Sequence, residues 1–215
     1  QDNIKCAFYE LDYMNLSQIL KNVSKNVDIE IIVDDRYLNE EGLEFLKGSN
    51  INIYSDKNRE TRYNNYMHNK FCVIDSKIVV SGSANPTIRG FLKNDNNVLR
   101  IDSNHLAENY EKEFEQLKSG IFGYNKDSVL SYNNLTLSYD SKKYIVSSYF
   151  CPQDDCANEL LNLVENAKSE ILFASFVITY DNLSDLLIEK SNDGVNVEGL
   201  IESRNINLKG SDFDE

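Results

Sequence analysis

This chain of 215 residues has little positive charge, few histidines and cysteines, and no long hydrophobic run. Its formal net charge of -13 argues against a protein that coats nucleic acid through a broad basic surface. The longest apolar stretch, Ile171 to Ile178, is interrupted by Ser175 and is strand-sized, so no transmembrane helix is predicted. No signal peptide is visible; because the chain starts at Gln1 rather than Met, we expect a segment upstream and assign no localisation.

The cysteines and histidines do not form a zinc-binding pattern, because no second cysteine pair or nearby histidine completes four ligands. Cys6 and Cys72 lie in apolar, strand-like runs and are expected to be small core residues. Cys151 and Cys156 flank the sequence Pro-Gln-Asp-Asp and are compatible with a disulfide in an oxidising compartment.

Positive charge is concentrated in one part of the chain. Residues 56–100 contain eight cations and four acids, so this window carries +4 while the remainder carries -17. Such an island suits a site that attracts one anion. The alternative, a charge fluctuation of the kind common in charged chains, stays open from composition alone.

Strand-like and helix-like segments alternate along the chain, which favours an α/β sandwich over a mixed sheet. Apolar positions in residues 15–25 follow the helical period. We expect Asn39 and Asn104 to cap two further helices, the second of them with an apolar face that includes Phe114. Strands are predicted at residues 4–9, 29–33, 51–54, 71–74, 78–80, 97–101, 171–178 and 195–201, with further helices at 156–168 and 183–189.

An internal repeat divides the chain. Residues 4–34 align with residues 171–202, with shared identities that include Tyr13 with Tyr180 and the Asn-Leu-Ser that follows each after one residue. We therefore predict a first half at 1–119, a polar linker or excursion at 120–148 with a short hairpin, and the start of a second half at 149–215. By the repeat, a second copy of the histidine described next is expected near position 235, so the sequence is interpreted as a fragment.

One segment carries a complete chemical motif. His68, Lys70 and Asp75, followed by Gly82-Ser83-Ala84-Asn85, match H-x-K-x4-D-x6-G-S-x-N at every defined position. With roughly one-in-twenty usage per residue type, a chance match in a chain of this length is of the order of a few in a million.

The residue types in this motif suit a phosphodiester. Residues i and i+2 of a strand share a face, so His68 and Lys70 are expected to point the same way. The lysine can draw in the anion, and the imidazole can attack phosphorus or move a proton near neutral pH. The Ser83 hydroxyl and the Asn85 amide can donate to phosphate oxygens, whereas Asp75, the third candidate catalytic residue, is expected to hold structure rather than touch substrate.

The motif resembles that of the phospholipase D superfamily. The resemblance implies a metal-independent phosphodiesterase with no cofactor, in which two such motifs meet, one histidine becoming a phosphohistidine and the other protonating the leaving group. The second motif would come from a further C-terminal half or from a homodimer partner, since His105 lacks a lysine two residues on and is expected to be a surface residue. The sequence departs from the family where many members have a glutamate that orients the histidine: Asn96 stands there, and the candidate substitutes are Asp95 and a group beyond Glu215.

Three functions are compatible with these features. Our leading hypothesis is a nuclease, because the loop before the motif mixes cations with aromatic residues that can stack on a base: Lys57, Arg59, Arg62, Tyr63 and Tyr66. These tyrosines can equally be packing residues of the loop. A phospholipid phosphodiesterase is the second hypothesis, although neither an apolar docking surface nor a basic membrane patch is apparent from the sequence. A non-catalytic module with the same fold is the third.

Overall fold

A computed structural model describes residues 2–57 and 66–205. The chain forms two compact units, Gln1–Asp154 and Asp155–Glu215. The first unit contains the strands β1 (Asn3–Phe8), β2 (Asp28–Val33), β3 (Ile51–Ser55), β4 (Lys70–Ile74), β5 (Ile78–Gly82), β6 (Val98–Asp102), β7 (Leu135–Tyr139) and β8 (Lys142–Val146). Its helices are α1 (Met14–Val23), α2 (Glu41–Leu46), α3 (Ile88–Leu92) and α4 (Asn104–Lys118).

A six-stranded mixed sheet is the centre of the first unit. Its strand order is β3-β2-β1-β4-β5-β6. The strands β1, β2 and β3 are parallel, and β4 pairs antiparallel with β1, in a register that places Phe8 opposite Lys70. The predicted hairpin is confirmed as β4 and β5, which turn through Asp75 and Ser76, both with positive φ.

Alternate strand residues fill two separate cores, one on each face of the sheet. Ala7, Phe71 and Val73 face a cluster that includes Phe114 of α4. Their neighbours on the same strands face a second cluster that includes Leu20 of α1, with Leu43 and Leu46 of α2. The predicted α-β-α sandwich around a mixed sheet is therefore confirmed for this unit.

The two predicted helix caps were wrong by one residue. Glu40, not Asn39, precedes α2 and makes no side-chain capping hydrogen bond. Ser103, not Asn104, caps α4, and its Oγ accepts a hydrogen bond from the Leu106 amide at 3.2 Å. In both places an asparagine, a favourable capping residue, lies next to the residue that occupies the N-cap position. Residue type alone therefore did not show which of the two neighbours is the cap.

The prediction that Cys6 and Cys72 are core residues is confirmed, because Cys6 is buried in the second cluster and Cys72 packs against it. The sequence analysis missed that they face each other across β1 and β4 and form a disulfide between residues 66 positions apart. The sequence does not reveal this pair, because it depends on which distant strands become neighbours and in which register. Cys151 and Cys156 are also disulfide-bonded, and none of the cysteines is free.

Residues 120–154 belong to the first unit. The hairpin β7–β8 lies within the stretch where the sequence predicted a short hairpin, and Leu135 packs against the core beside α4. Phe122 is part of that core. Lys126 is buried and forms an ion pair with the fully buried Glu113 of α4. This stretch is therefore polar in composition and still makes specific contacts with the sandwich.

The second unit contains α5 (Cys156–Glu165), β9 (Glu170–Ser175), α6 (Asp181–Asn192) and β10 (Asn196–Ile201). Here β9 and β10 are parallel and joined by α6, as β1 and β2 are joined by α1. Before each of the two connecting helices a tyrosine hydroxyl accepts a 3.2 Å hydrogen bond from an asparagine amide, from Asn15 to Tyr13 and from Asn182 to Tyr180. The two copies of the predicted repeat thus share both topology and local contacts.

In the part of the chain that the structure describes, no helix combines the length and the apolar character that crossing a membrane requires.

Candidate phosphodiester site

His68 and Lys70 lie at the start of β4. Lys70 is the first residue of that strand, and His68 precedes it in extended chain. The Lys70 Nζ donates a 2.7 Å hydrogen bond to the His68 carbonyl. Both side chains contact the ring of Tyr9: the His68 ring meets it edge-on at 4.5 Å between centroids, and Lys70 Nζ lies 5.1 Å from the Tyr9 centroid. The expectation that the two residues share a side is therefore confirmed.

Burial is the main cause of lowered pKa values for both His68 and Lys70. Partial burial, together with the cations Lys70 and Arg36, lowers the pKa of His68, while Asp34 acts in the opposite direction. Burial lowers the pKa of Lys70 to about 8, against a smaller opposing effect of Glu10. A neutral imidazole near pH 7 is the form that can attack phosphorus.

Asp75 lies at the other end of β4 from His68. It occupies the hairpin turn with φ 54°, and its Oδ1 accepts a 3.0 Å hydrogen bond from the Asn3 amide. The main-chain bond from the Asp75 amide to the Asn3 carbonyl, at 2.9 Å, completes this pair. Asp75 thus joins the β4–β5 turn to the beginning of β1, which is the structural role that the sequence suggested.

Ser83 and Asn85 follow β5 and are held by neighbours within the protein. The Ser83 Oγ donates to Asn96 Oδ1 at 2.9 Å and accepts from the Asn97 amide at 3.1 Å. The Asn85 Nδ2 approaches Glu10 Oε2 at 3.4 Å, and the Asn85 Oδ1 is buried without a partner. Their donation to a phosphate remains a prediction that requires these amide and hydroxyl groups to reorient.

A cavity of about 430 Å³ adjoins these residues. Ser83, Asn85 and Asn96 line it together with Glu10, and α3 contributes Arg89, so that acidic, amide and basic groups meet there. Its size is in the range of small-ligand sites. Burial, with help from the nearby acids Glu40 and Asp12, raises the pKa of Glu10, and Lys70 and Arg89 oppose that rise.

Asn96 joins two neighbouring segments through its side-chain amide. Its Oδ1 accepts from Ser83, and its Nδ2 donates to the Gly90 carbonyl at 3.0 Å, so its amide ties the G-S-x-N turn to α3. The carboxylate that acts electrostatically on His68 is Asp34, from the end of β2, and not Asp95.

Sequence reasoning missed Tyr9, Glu10, Asp34 and Arg36 as parts of the site. Tyr9 and Glu10 follow β1, and Asp34 and Arg36 follow β2. Because β1 and β2 are parallel, their C-terminal ends meet at one edge of the sheet, which is where binding sites of open α/β sheets commonly form. Polar and aromatic residues directly after two predicted parallel strands were therefore a usable signal.

Glu113 of α4 was also missed. Its buried carboxylate accepts hydrogen bonds from Gln153 at 2.9 Å and from Asn69 at 3.4 Å, besides its ion pair with Lys126. Asn69 is the residue between His68 and Lys70, so this network connects α4 to the motif from the other face of the sheet. No sequence pattern identifies it, because its members are far apart in the chain.

Three carboxylates near the site lie close enough to share a cation: Asp34, Asp35 and Asp56, with ligand atoms within 4.8 Å. Asp34 is engaged by Arg36. The two oxygens of Asp56 accept from the amides of Asp35, at 2.7 Å, and Met67, at 3.2 Å. These hydrogen bonds give the carboxylates a role in shaping the loops beside His68.

Of the aromatic and basic loop predicted to bind a nucleic-acid backbone, Arg59, Arg62 and Tyr63 lie outside the described residues. Tyr66 is exposed, and the Arg36 guanidinium lies 3.8 Å from its ring centroid. His105 is exposed and stacks on Tyr132 at 4.2 Å, which agrees with the expected surface position.

Known proteins are similar to this chain in sequence and in fold. Residues 1–118, more than half of the chain, match the family described as cardiolipin synthase, PLD-like domain. The chain belongs to this phospholipase D-like family. The mitochondrial cardiolipin hydrolase of Xenopus laevis is 32% identical over 95 residues, which are 43% of this chain and 43% of that protein. The mouse protein of the same name is 28% identical over 96 residues, 43% of this chain and 41% of that protein.

The chain thus spans less than half the length of the curated PLD-like relatives that it matches. Among solved structures, phosphatidylserine synthase of Haemophilus influenzae superposes with a TM-score of 0.60 at 13% identity, covering 93% of this chain and 56% of that one. This likeness supports the PLD-like fold alone. The family match covers residues 1–118 and therefore includes the H-x-K motif of this chain.

Proposed function

We propose that this PLD-like chain is a phosphodiesterase that works through a phosphohistidine on His68, and that its substrate is nucleic acid. The observation that supports the proposal most directly is that His68 and Lys70 both contact the ring of Tyr9, beside a cavity lined by Ser83 and Asn85. Membership of the family supports the general reaction. The substrate and the mechanism are our inference.

In the proposed reaction, the neutral imidazole of His68 attacks phosphorus. A P–N bond forms, the bond from phosphorus to the leaving oxygen breaks, and the electron pair of that bond remains on the leaving oxygen, which takes a proton. The Lys70 ammonium offsets the charge on the non-bridging oxygens, so this chain's own residues need no metal for that purpose. Water then attacks the phosphohistidine: a P–O bond forms, the P–N bond breaks and its electron pair returns to the imidazole of His68. The proton of the water goes to the group that had protonated the leaving oxygen.

The acid that protonates the leaving oxygen is proposed to belong to a second H-x-K motif, as the family resemblance implies. We propose that a further C-terminal half or a second copy of the chain supplies it. The domain division at 1–119, 120–148 and 149–215 belongs to the same proposal.

Exposed aromatic and cationic groups beside the motif favour nucleic acid. Tyr66 and Arg36 form an exposed stack next to His68, and an aromatic or guanidinium plane can stack on a base regardless of its identity. The local excess of positive charge in residues 56–100 offsets part of the repulsion between a polyanion and an acidic protein.

The test is cleavage of fluorescent single- and double-stranded DNA and RNA in excess EDTA. We expect cleavage by the wild-type protein and none by His68→Asn. The matched control is His105→Asn, since His105 is the other histidine of the chain and lies on the surface of α4. Cleavage that disappears with EDTA, or that survives His68→Asn, would refute the proposed mechanism.

An anionic phospholipid is a second candidate substrate, favoured by two observations. The curated relatives are named cardiolipin hydrolases. In addition α3, which contributes to the cavity, exposes the apolar side chains of Ile88, Phe91 and Leu92. Cardiolipin vesicles are therefore a parallel substrate in the same assay, and release of a phosphorylated product from them, without cleavage of any nucleic acid, would replace the nuclease assignment.

A further inference from the structure

Tyr9 contacts both reactive side chains of the motif, His68 and Lys70. It directly follows β1, and its amide donates a 2.9 Å hydrogen bond to the carbonyl of Asn69. The β1–β4 ladder thus continues by one residue, and it brings the Tyr9 side chain to the start of β4. There the ring contacts the edge of His68 at 4.5 Å, and Lys70 Nζ lies 5.1 Å from its centroid. Both distances are within the range of favourable aromatic and cation–π contacts.

The ring is anchored at its other end by its hydroxyl. The Tyr9 oxygen accepts a 2.9 Å hydrogen bond from an Arg36 NH2 group, and the Tyr37 hydroxyl donates to it at 3.3 Å. Tyr37 also packs edge-on against Tyr9, with centroids 4.9 Å apart. Ring and hydroxyl are therefore restrained by different neighbours, which limits rotation of the side chain.

Arg36 is held in turn by Asp34. The guanidinium donates to both carboxylate oxygens, at 2.7 Å from Nε and 3.0 Å from NH2, and the Asp34 side chain is 0% exposed. A two-point arginine–carboxylate pair fixes orientation as well as distance. The chain of contacts runs from a buried acid through Arg36 and Tyr9 to His68 and Lys70.

We propose that Tyr9 is the positioning residue of the H-x-K motif and that the Asp34–Arg36 pair braces it. This inference rests on the proposed function of His68 and Lys70 and deepens it. Tyr9 forms no bond with the substrate in this scheme. It fixes the spacing and orientation of the imidazole and the ammonium, on which attack at phosphorus depends.

The brace also has an electrostatic consequence. The charged groups that act on His68 are Lys70, Arg36 and Asp34. Of these, Arg36 and Lys70 disfavour the imidazolium, so removing the Arg36 charge is expected to raise the pKa of His68, and the acid limb of the pH–rate profile moves to higher pH with it. A purely structural role for Arg36 predicts no such movement.

The activity test compares Tyr9→Leu and Tyr9→Phe with a matched control, Tyr54→Leu. Tyr54 lies on β3, where its hydroxyl donates to Glu30 at 3.1 Å and Lys118 lies 5.5 Å from its ring centroid. Like Tyr9 it combines a hydroxyl hydrogen bond with a nearby cation, but β2 and β1 separate its strand from β4. We expect Tyr9→Leu to lower kcat about tenfold or more with little change in KM, because misplaced catalytic groups affect the chemical step. Tyr9→Phe keeps the ring but loses the hydroxyl contact with Arg36, so we expect a loss smaller than that of Tyr9→Leu.

The second test is independent of turnover. The protein has two histidines, so NMR titration of the imidazole resonances, assigned with His105→Gln, follows His68 directly. We expect Arg36→Gln to raise the His68 pKa.

The outcomes separate the two proposals. If the wild-type protein cleaves no phosphodiester, the proposed function fails, and the titration still tests the effect of the Arg36 charge on His68. If Tyr9→Leu loses no more activity than Tyr54→Leu, the positioning role of Tyr9 is refuted while the proposed function stands. If Arg36→Gln leaves the His68 titration in place, the electrostatic effect of Arg36 on His68 is refuted.

Discussion

The protonation state of Lys70 gives the most specific prediction of the proposed chemistry, which is a loss of activity on the alkaline side of the pH–rate profile. Burial lowers its pKa from 10.5 to about 8. The group is cationic below its pKa and neutral above it, so its electrostatic contribution is present at pH 7 and is lost as the pH rises through 8. The charged fraction falls from about nine tenths at pH 7 to about one tenth at pH 9, which predicts a roughly tenfold loss of kcat/KM over that interval.

The assay is kcat/KM for a fluorescent phosphodiester in EDTA between pH 5 and pH 10. Lys70→Arg is the matched variant, because a guanidinium stays charged throughout this range. We expect its absolute rate to be lower and its alkaline limb to be absent. A wild-type profile that stays level to pH 9.5, or a Lys70→Arg profile with the same alkaline limb, would refute the role of the Lys70 charge.

Three further changes test the framework around the site. Lys126→Met leaves the fully buried Glu113 carboxylate without its cation and is expected to lower the free energy of unfolding by about 3–5 kcal/mol in urea, with recovery in the double variant that also carries Glu113→Gln. Gly82→Ala places a Cβ 2.2 Å from the Asn97 carbonyl oxygen, so we expect a lower Tm and a larger loss of kcat than a control Gly48→Ala, which has open space. Ser103→Ala removes the cap of α4 and is expected to cost about 1 kcal/mol in urea denaturation; a cost near zero would argue against the cap.

The local part of the site could be predicted from the sequence because it depends on neighbours in the chain. The alternation of Lys70, Phe71 and Val73 along one strand is enough to separate the cation from the core positions. The hairpin and the G-S-x-N turn follow within the next few residues. The element types other than the five-residue helix α3, which the sequence analysis missed, were predicted for the same reason, since amphipathic periodicity is a local property.

The rest of the site depends on pairings between distant segments. Tyr9 and His68 are 59 positions apart and meet because β1 and β4 are neighbours in one specific register. Arg36 reaches them from the end of β2. A shift of one residue in either pairing would turn these side chains to the opposite face, and one sequence alone does not determine that register.

The disulfide between Cys6 and Cys72 gives the H-x-K strand a covalent connection to the strand that ends in Tyr9. The two halves of the site, one contributed by residues after β1 and the other by residues before β4, are therefore tethered by a covalent bond a few residues away from each. Without the disulfide, only main-chain hydrogen bonds and packing would hold them in register. With it, the segments that carry Tyr9 and Lys70 stay anchored to each other at Cys6 and Cys72 even where local hydrogen bonds open.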